Sequence, residues 1–343
     1  MLIFPIFILS FNALFDRPVM KKISLIVLIV LSVIIVAVYL LLPRIAVSMV
    51  TNYEPWTFEK VLDNPEIRKD YGINDCSSPE DYGFKSEEIN YTSLDGTKLN
   101  GWFIPTNSTS GKCIVFIHGR TSNRLKPMKF LALIDSLDLD TIYNIFIPDM
   151  RNSGKSQDAK THMGYNFSED VIASILLMKN TYQQDTFLLY GFSMGAMATL
   201  KATSKADLAK NYEGNNIVIE KVILDSPLSN VKETLRGESA SILITESRFN
   251  KMFDLYSEEI NGFGEQMKMS ALLNPDIPFL IIQSKDDKTT KISTLEFELN
   301  NMGKLTNFEL VLFEGPDHVR IFQDDRTRVA YIDAVQNFLV ENP

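Results

Sequence analysis

A serine set between glycines, Gly191-Phe192-Ser193-Met194-Gly195, is the first place where this chain could do covalent chemistry. A serine hydroxyl is a weak nucleophile until a neighbouring base takes its proton, so a histidine and a carboxylate must be sought with it. The chain has only three histidines, His118, His162 and His318. His318 ends the stretch Glu314-Gly315-Pro316-Asp317-His318, and Asp286 and Asp287 lie between it and the serine. Ser193 would attack an acyl carbon. His318 would serve as base and later as acid, and Asp287 would hold the imidazole in one tautomer and stabilise its cation. Asp286 and Asp225 are alternative acids.

These residues are far apart in sequence, so a fold must bring them together. The wholly apolar run Phe187-Leu188-Leu189-Tyr190 reads as a buried strand, and the Ala-rich stretch after Gly195 as a helix. A strand turning sharply into a helix exposes the middle side chain, and a Cβ at either flanking glycine would strike the neighbouring strand or helix. Further strands are expected at Cys113–Ile117, Asn144–Asp149, Val218–Asp225, Phe279–Gln283 and Phe308–Phe313. Glu88 to Pro105 alternates around Asp95-Gly96, a hairpin signal. Ser168–Thr181, with Ser168 as cap, and Asp325–Val340 have helical patterns. Strands alternating with helices imply a mostly parallel, doubly wound sheet with an antiparallel edge from the hairpin, and so an α/β fold. In such sheets ligands sit beyond the C-terminal strand ends, which is where Ser193, Asp287 and His318 fall.

Composition narrows the function. The 343 residues are 45% hydrophobic and 22% charged, ordinary for a globular body with a large core. The net charge of −9 combines +3 over residues 1–50 with −12 over the rest. An acidic body repels phosphate backbones, which argues against nucleic acid as a partner. So few histidines, with Cys76 and Cys113 far apart, argue against a metal site, and no pattern calls for a cofactor. Cys113 reads as a buried thiol, with a Cys76–Cys113 disulfide left open.

Ile23 to Leu42 is 20 residues without charge. As a helix it would span about 30 Å, the thickness of a bilayer core. Arg17, Lys21 and Lys22 precede it, which keeps the N-terminal side in the cytoplasm and puts the body outside. The alternative is a cleaved signal peptide ending near Ala46-Val47-Ser48, although the run exceeds a signal core of roughly 7–15 residues. The division expected is an apolar and basic segment at 1–22, a transmembrane helix or signal anchor at 23–42, a juxtamembrane linker with some helix at 43–83 that packs against the body rather than binding a partner, and an α/β domain at 84–343 with a cap insertion at 226–277. Met1 to Phe15, broken by Pro5, would lie at the interface or form a hairpin with the span, and Met20-Lys21-Lys22 looks like an alternative start.

The motifs in order carry a resemblance over about 84–343. They are Asp95-Gly96, His118-Gly119, Asp149 to Ser156 as D-x-R-x-x-G-x-S, Gly191 to Gly195, Asp225-Ser226-Pro227, Asp287 and His318. Together they resemble the α/β-hydrolase superfamily, in particular its membrane-anchored or secreted bacterial esterase- and peptidase-like members. The family usually shows His-Gly before the acid loop, where this chain has Gln283-Ser284. The resemblance implies a serine hydrolase acting on an ester, thioester or amide. It also implies a second oxyanion donor: besides the Met194 N–H at the helix start, the backbone N–H of Arg120. A peptidase or acyltransferase would use the same residues, and a non-catalytic surface binder would keep only the fold.

Other polar residues read more simply. His118 is expected to bond loop backbone beneath the oxyanion site, and His162 to sit on a surface loop. Asp149 and Arg151 are expected to pair and order their loop. The Arg120 side chain reads as solvated, with a substrate carboxylate as the alternative partner. Residues 226–277 separate two strands by more than a normal connection and are rich in Phe, Met and Leu. They are expected to form a cap over the site, whose apolar side chains either line a pocket or pack the cap onto the core.

Overall fold

The computed structural model describes residues 18–106, 109–240, 243, 245–302 and 307–341. The apolar stretch Met1–Phe15 and the cap residue Ile242 lie outside the described residues. The described residues open with helix α1, Pro18–Thr51. Two short helices follow, α2 (Phe58–Leu62) and α3 (Pro65–Tyr71). Eight strands come next in one sheet: β1 (Glu87–Thr92), β2 (Lys98–Ile104), β3 (Lys112–Ile117), β4 (Asn144–Asp149), β5 (Thr186–Phe192), β6 (Val218–Asp225), β7 (Phe279–Ser284) and β8 (Phe308–Phe313). Between them run α4 (Leu125–Met128), α5 (Leu131–Ser136), α6 (Tyr165–Tyr182), α7 (Met194–Ala202), α8 (Lys205–Asn211), α9 (Val231–Ser239), α10 (Glu246–Glu259), α11 (Met269–Leu272) and α12 (Ile292–Asn301), and α13 (Arg328–Glu341) closes the chain.

The strand order is β1-β2-β4-β3-β5-β6-β7-β8. The β1–β2 and β2–β4 pairs are antiparallel and the rest parallel, so the expected doubly wound sheet with an antiparallel edge is what forms. Alternation along β3 shows why both faces must be covered. Cys113, Val115 and Ile117 join the core packed by α6, α7 and the cap, whereas Ile114 and Phe116 join the core packed by α4, α5 and α13. From β3 the chain adds β4 on one side, then crosses to place β5 on the other. The crevice at such a reversal is where this kind of sheet binds ligands. Gly119 follows β3 and Ser193 follows β5 at this reversal.

Several local expectations change. Helix α6 starts at Tyr165 with Gly164 before it, and Ser168 lies inside it, its hydroxyl donating back to Tyr165 O at 2.6 Å. The helix therefore begins one turn earlier than a serine cap would put it. Cys76 and Cys113 are both free thiols, Cys113 fully buried. Asp149 and Arg151 do not pair with each other. Asp149 accepts the amides of Arg124 and Lys155 at 2.9 and 3.0 Å, while Arg151 pairs with Asp170 at 2.7 Å and Asp95 at 2.8 Å. The D-x-R-x-x-G-x-S loop is thus pinned at both ends to different elements. Its glycine is required by contact as well as by φ +55°: a Cβ on Gly154 would come within 2.1 Å of Asp149 Oδ2.

The stretch 43–83, expected as a linker packed against the body, is built into it. Helix α1 runs on past its apolar part, and Ala46, Val47 and Val50 are buried in one core. Val61, Tyr71 and Ile73 are buried in the other. The strand-like segment between α1 and α2 is sewn to the loop after β4. Trp56 N–H donates to Asn152 O at 3.4 Å, Gly154 N–H to Trp56 O at 2.9 Å, and Asn152 Nδ2 to Tyr53 O at 2.8 Å. By contrast, residues Ile23–Leu41 of α1 point their side chains almost wholly outward, although Arg248 of α10 sits 3.5 Å from the Tyr39 ring centroid.

Candidate active site

Ser193 stands at the β5–α7 junction with φ +53° and ψ −119°, a left-handed backbone in which a non-glycine residue is strained. The glycines beside it are dictated by contact. A Cβ on Gly191 would meet Thr199 Oγ1 at 2.7 Å and Ala196 Cα at 2.8 Å in α7, and one on Gly195 would meet Ile117 O at 2.3 Å. The turn can therefore be this sharp only with glycine at both positions. Ser193 lines a cavity of about 540 Å³.

The structure brings together the three residues expected to meet. Ser193 Oγ lies 2.8 Å from His318 Nε2, and His318 Nδ1 lies 2.8 Å from Asp287 Oδ2. Asp287 is buried, which alone would raise its pKa. The hydrogen bonds from His318 and from the Thr290 amide and hydroxyl outweigh that and hold the carboxyl below its usual range. An ionised Asp287 accepts the Nδ1–H, which leaves Nε2 as the acceptor for the serine proton.

The alternative acids are occupied elsewhere. Asp286 Oδ2 accepts the Gly315 N–H at 2.7 Å and so braces the loop leading to His318. Asp225 is fully buried, and its oxygens accept from Ser226 Oγ and Tyr331 OH, each at 2.8 Å. Burial pushes its pKa up.

The roles of three residues around Asp287 escaped the sequence reading. Thr290 donates its amide to Asp287 Oδ1 at 2.8 Å and sets its hydroxyl 2.8 Å from Oδ2. An Asp followed three residues later by Thr is a legible turn signal. Gln283 occupies the position where the family usually has histidine. Its Nε2 donates to Thr290 O at 2.9 Å and Asp287 Oδ2 at 3.2 Å, so it ties the strand end to the acid loop. Ser226 is the third. No local pattern announces Gln283 or Ser226, because their partners come from other strands.

Met194 directly follows the serine, and Arg120 follows Gly119 in the loop beside it; both line the cavity. Gly119 is pressed against Ser193, for a Cβ on it would come within 2.9 Å of Ser193 Cβ. Met194 begins α7, whose N-terminal amides and dipole favour negative charge. His118 holds this corner from beneath. Its Nδ1–H donates to Gly119 O at 2.8 Å and its Nε2 accepts the Met150 N–H at 2.9 Å. Burial keeps it neutral, with a pKa of about 4. The Arg120 side chain is not the solvated group expected: Nη1 pairs with Glu238 at 2.9 Å, and the guanidinium lies 4.8 Å from the Tyr53 ring centroid. His162 is likewise no surface residue. It is buried, with Nε2 2.8 Å from Glu259 Oε2, and it ties α10 to the loop that carries Met163 into the cavity.

The cavity walls come from unexpected places. Phe130, Met163, Phe192 and Val319 supply apolar surface from the body, and Trp56, Ile67 and Tyr71 from the 43–83 stretch. Among the described residues, the cap contributes only Leu228, Thr234 and Glu238. Phe249, Met252, Phe253 and Tyr256 are instead buried in the core. Among the described residues no group of His, Cys, Asp and Glu side chains is arranged to hold a metal ion.

Comparison with known proteins agrees with this architecture. A family model described as the alpha/beta hydrolase fold matches residues 112–255. Over 327 residues the chain is 25% identical to the uncharacterized protein YfhR of Escherichia coli O157:H7, covering 94% of this chain and 96% of that one. The esterase Pf2001 of Pyrococcus furiosus superposes with a TM-score of 0.58 at 24% identity, covering 78% of this chain and 96% of that one. XC6422 of Xanthomonas campestris, described as an a/b serine hydrolase without lid, gives 0.50 at 15% identity, covering 75% and 94%. With the strand order and the glycine-flanked serine turn after β5, these likenesses show that the chain has the α/β-hydrolase fold.

Proposed function

We propose that this protein is a serine hydrolase that cleaves a carboxylic ester through an acyl-enzyme. The observation that carries the reading is the unbroken hydrogen-bonded chain from Ser193 Oγ through His318 to Asp287, with 2.8 Å at each link. His318 takes the serine proton as Oγ bonds to the acyl carbon, and Asp287 stabilises the resulting imidazolium. The Met194 and Arg120 amides receive the oxyanion. His318 returns the proton to the departing alcohol, and water repeats the sequence to release the acid. A cavity whose exposed wall is mostly apolar surface, with Trp56, Phe130 and Phe192 in its lining, supports an apolar acyl group and so an ester. A peptidase, thioesterase or acyltransferase would use the same groups with another substrate or acceptor.

Helix α1 is read as a membrane anchor. Lys22–Thr51 is long and apolar enough to cross a bilayer, with the most apolar window unburied. Cationic residues before it favour a cytoplasmic N-terminus and an extracytoplasmic body. Burial of Ala46, Val47 and Val50 supports retention of the helix, since cleavage near Ser48 would cut a packed segment.

A fluorophosphonate probe tests the activity. Labelling of the folded protein is expected, with none in Ser193→Ala. A folded protein that resists the probe and turns over no ester would leave a binding protein as the reading. A series of acyl esters set against aminopeptide substrates then separates esterase from peptidase.

A further inference from the structure

Two residues next to the site hold left-handed backbone without being glycine: Ser226 at φ +50° and Val319 at φ +54°. Val319 is the more demanding, because a β-branched side chain in this region clashes with its own backbone. Such a conformation persists only where the surroundings over-determine it. Val319 directly follows His318, and both of its backbone polar groups are held by buried side chains. Its N–H donates to Ser226 Oγ at 3.1 Å, and its carbonyl accepts from Lys129 Nζ at 3.1 Å.

Each holder is itself fixed. Ser226 donates its hydroxyl to Asp225 and its amide to Ile282 O, each at 2.8 Å. Lys129 also donates to Gln323 Oε1 at 2.7 Å. Ser226 O lies 3.1 Å from the Thr290 hydroxyl, which lies 2.8 Å from Asp287 Oδ2. One residue is thus the common reference for the acid loop and the histidine loop. Neither Ser226 nor Lys129 lines the cavity, so neither reaches a substrate. Burial pulls the Lys129 ammonium down to about 7, a cost that an apolar side chain of similar length would not carry.

We propose that Ser226 and Lys129 clamp the Val319 peptide from both sides and so impose the turn that aims His318 at Ser193. They are positioning residues. The kinetic consequences rest on the serine-hydrolase reading, whereas the geometry does not. Without the clamp Val319 relaxes to negative φ and carries the His318 backbone with it.

A double-mutant cycle in the full chain tests this. Ser226→Ala is expected to lower kcat and the rate of probe acylation by about 10- to 100-fold, with KM within about twofold. In a Val319→Gly background the same change should cost less than about threefold, because glycine adopts positive φ freely. The far-downfield His318 Nδ1–H proton resonance should broaden in Ser226→Ala and return in the double variant. Lys129→Met probes the carbonyl side in the same way and serves if Ser226→Ala fails to fold. Equal cost in both backgrounds, or Ser226→Ala within threefold of the parent with the resonance intact, overturns the clamp. If the parent protein neither labels nor turns over, the hydrolase reading falls while the resonance still judges the clamp.

Discussion

The cap at 226–277 and the stretch at 43–83 differ in what they give the cavity: the cap mostly packs the core, whereas the earlier stretch supplies much of the wall. The cap has the apolar composition of a pocket wall, yet its helix α10 spends Phe249, Met252, Phe253 and Tyr256 on the core. The earlier stretch reads as a linker packed against the body, yet Trp56, Ile67 and Tyr71 line the cavity that holds Ser193. Apolar composition tells that a side chain will be buried but not against what. What captures 53–57 is backbone hydrogen bonding from the loop after β4, to which side-chain hydropathy is blind.

The sharpest way to break this comparison is to remove each part in turn. A chain beginning at Arg44 keeps the buried end of α1 and should fold, label with the probe and lose only its membrane affinity. A chain beginning at Phe84 loses Val47, Val50, Val61, Tyr71 and Ile73 from two cores. At about 1.5–3 kcal/mol for each buried side chain, the loss rivals the whole stability of about 5–15 kcal/mol of a typical domain. It should show no cooperative thermal transition and no labelling. A well-folded, active chain from Phe84 would reduce the stretch to a linker.

Point changes sharpen the same contrast. Phe249→Ala should cost about 3–5 kcal/mol in denaturant unfolding and leave KM for a medium-chain ester within about twofold. Trp56→Ala should do the reverse, lowering kcat/KM about tenfold with a smaller loss of stability, because Trp56 is only half-buried. A KM effect confined to Phe249→Ala would return the pocket to the cap.

How far the molecule could be read from its residues follows from the range of the forces involved. Strands β3, β5, β6, β7 and β8 announce themselves as apolar runs because both their faces are covered. The order Ser193, Asp287, His318 was legible because topology alone puts strand ends at one rim. Long-range pairings were not. Arg151 chooses Asp170 over its neighbour Asp149, and His162 finds Glu259 on a helix nearly a hundred residues away. The role of Gln283 was hidden because an amide has no chemistry of its own to advertise.

His118, bonded to Gly119 O and the Met150 N–H, gives a pH test with a defined sign. Its pKa of about 4 in the fold lies below the roughly 6.5 of an unfolded histidine. The unfolded chain therefore binds the extra proton first. The contribution is fully present above about pH 6.5 and is lost as pH falls towards 4, for about 3 kcal/mol in all. His118→Gln should flatten that part of the stability–pH curve. An unchanged slope would mean that another group carries it.

The smallest effect is expected where the two regions touch. Arg120 pairs with Glu238 of the cap helix α9 and lies over Tyr53 of the 43–83 stretch. Its side chain is 21% exposed and that of Glu238 is 40%, so water and salt screen the pair. Glu238→Gln should therefore change stability by less than about 1 kcal/mol, and the difference should shrink further as salt is raised. Turnover should change little, because the Arg120 amide is held through Gly119 and His118 rather than through its own guanidinium. A loss as large as that of Phe249→Ala would mean that cap and N-terminal stretch are braced by this exposed pair, and the two regions would have to be treated as one unit.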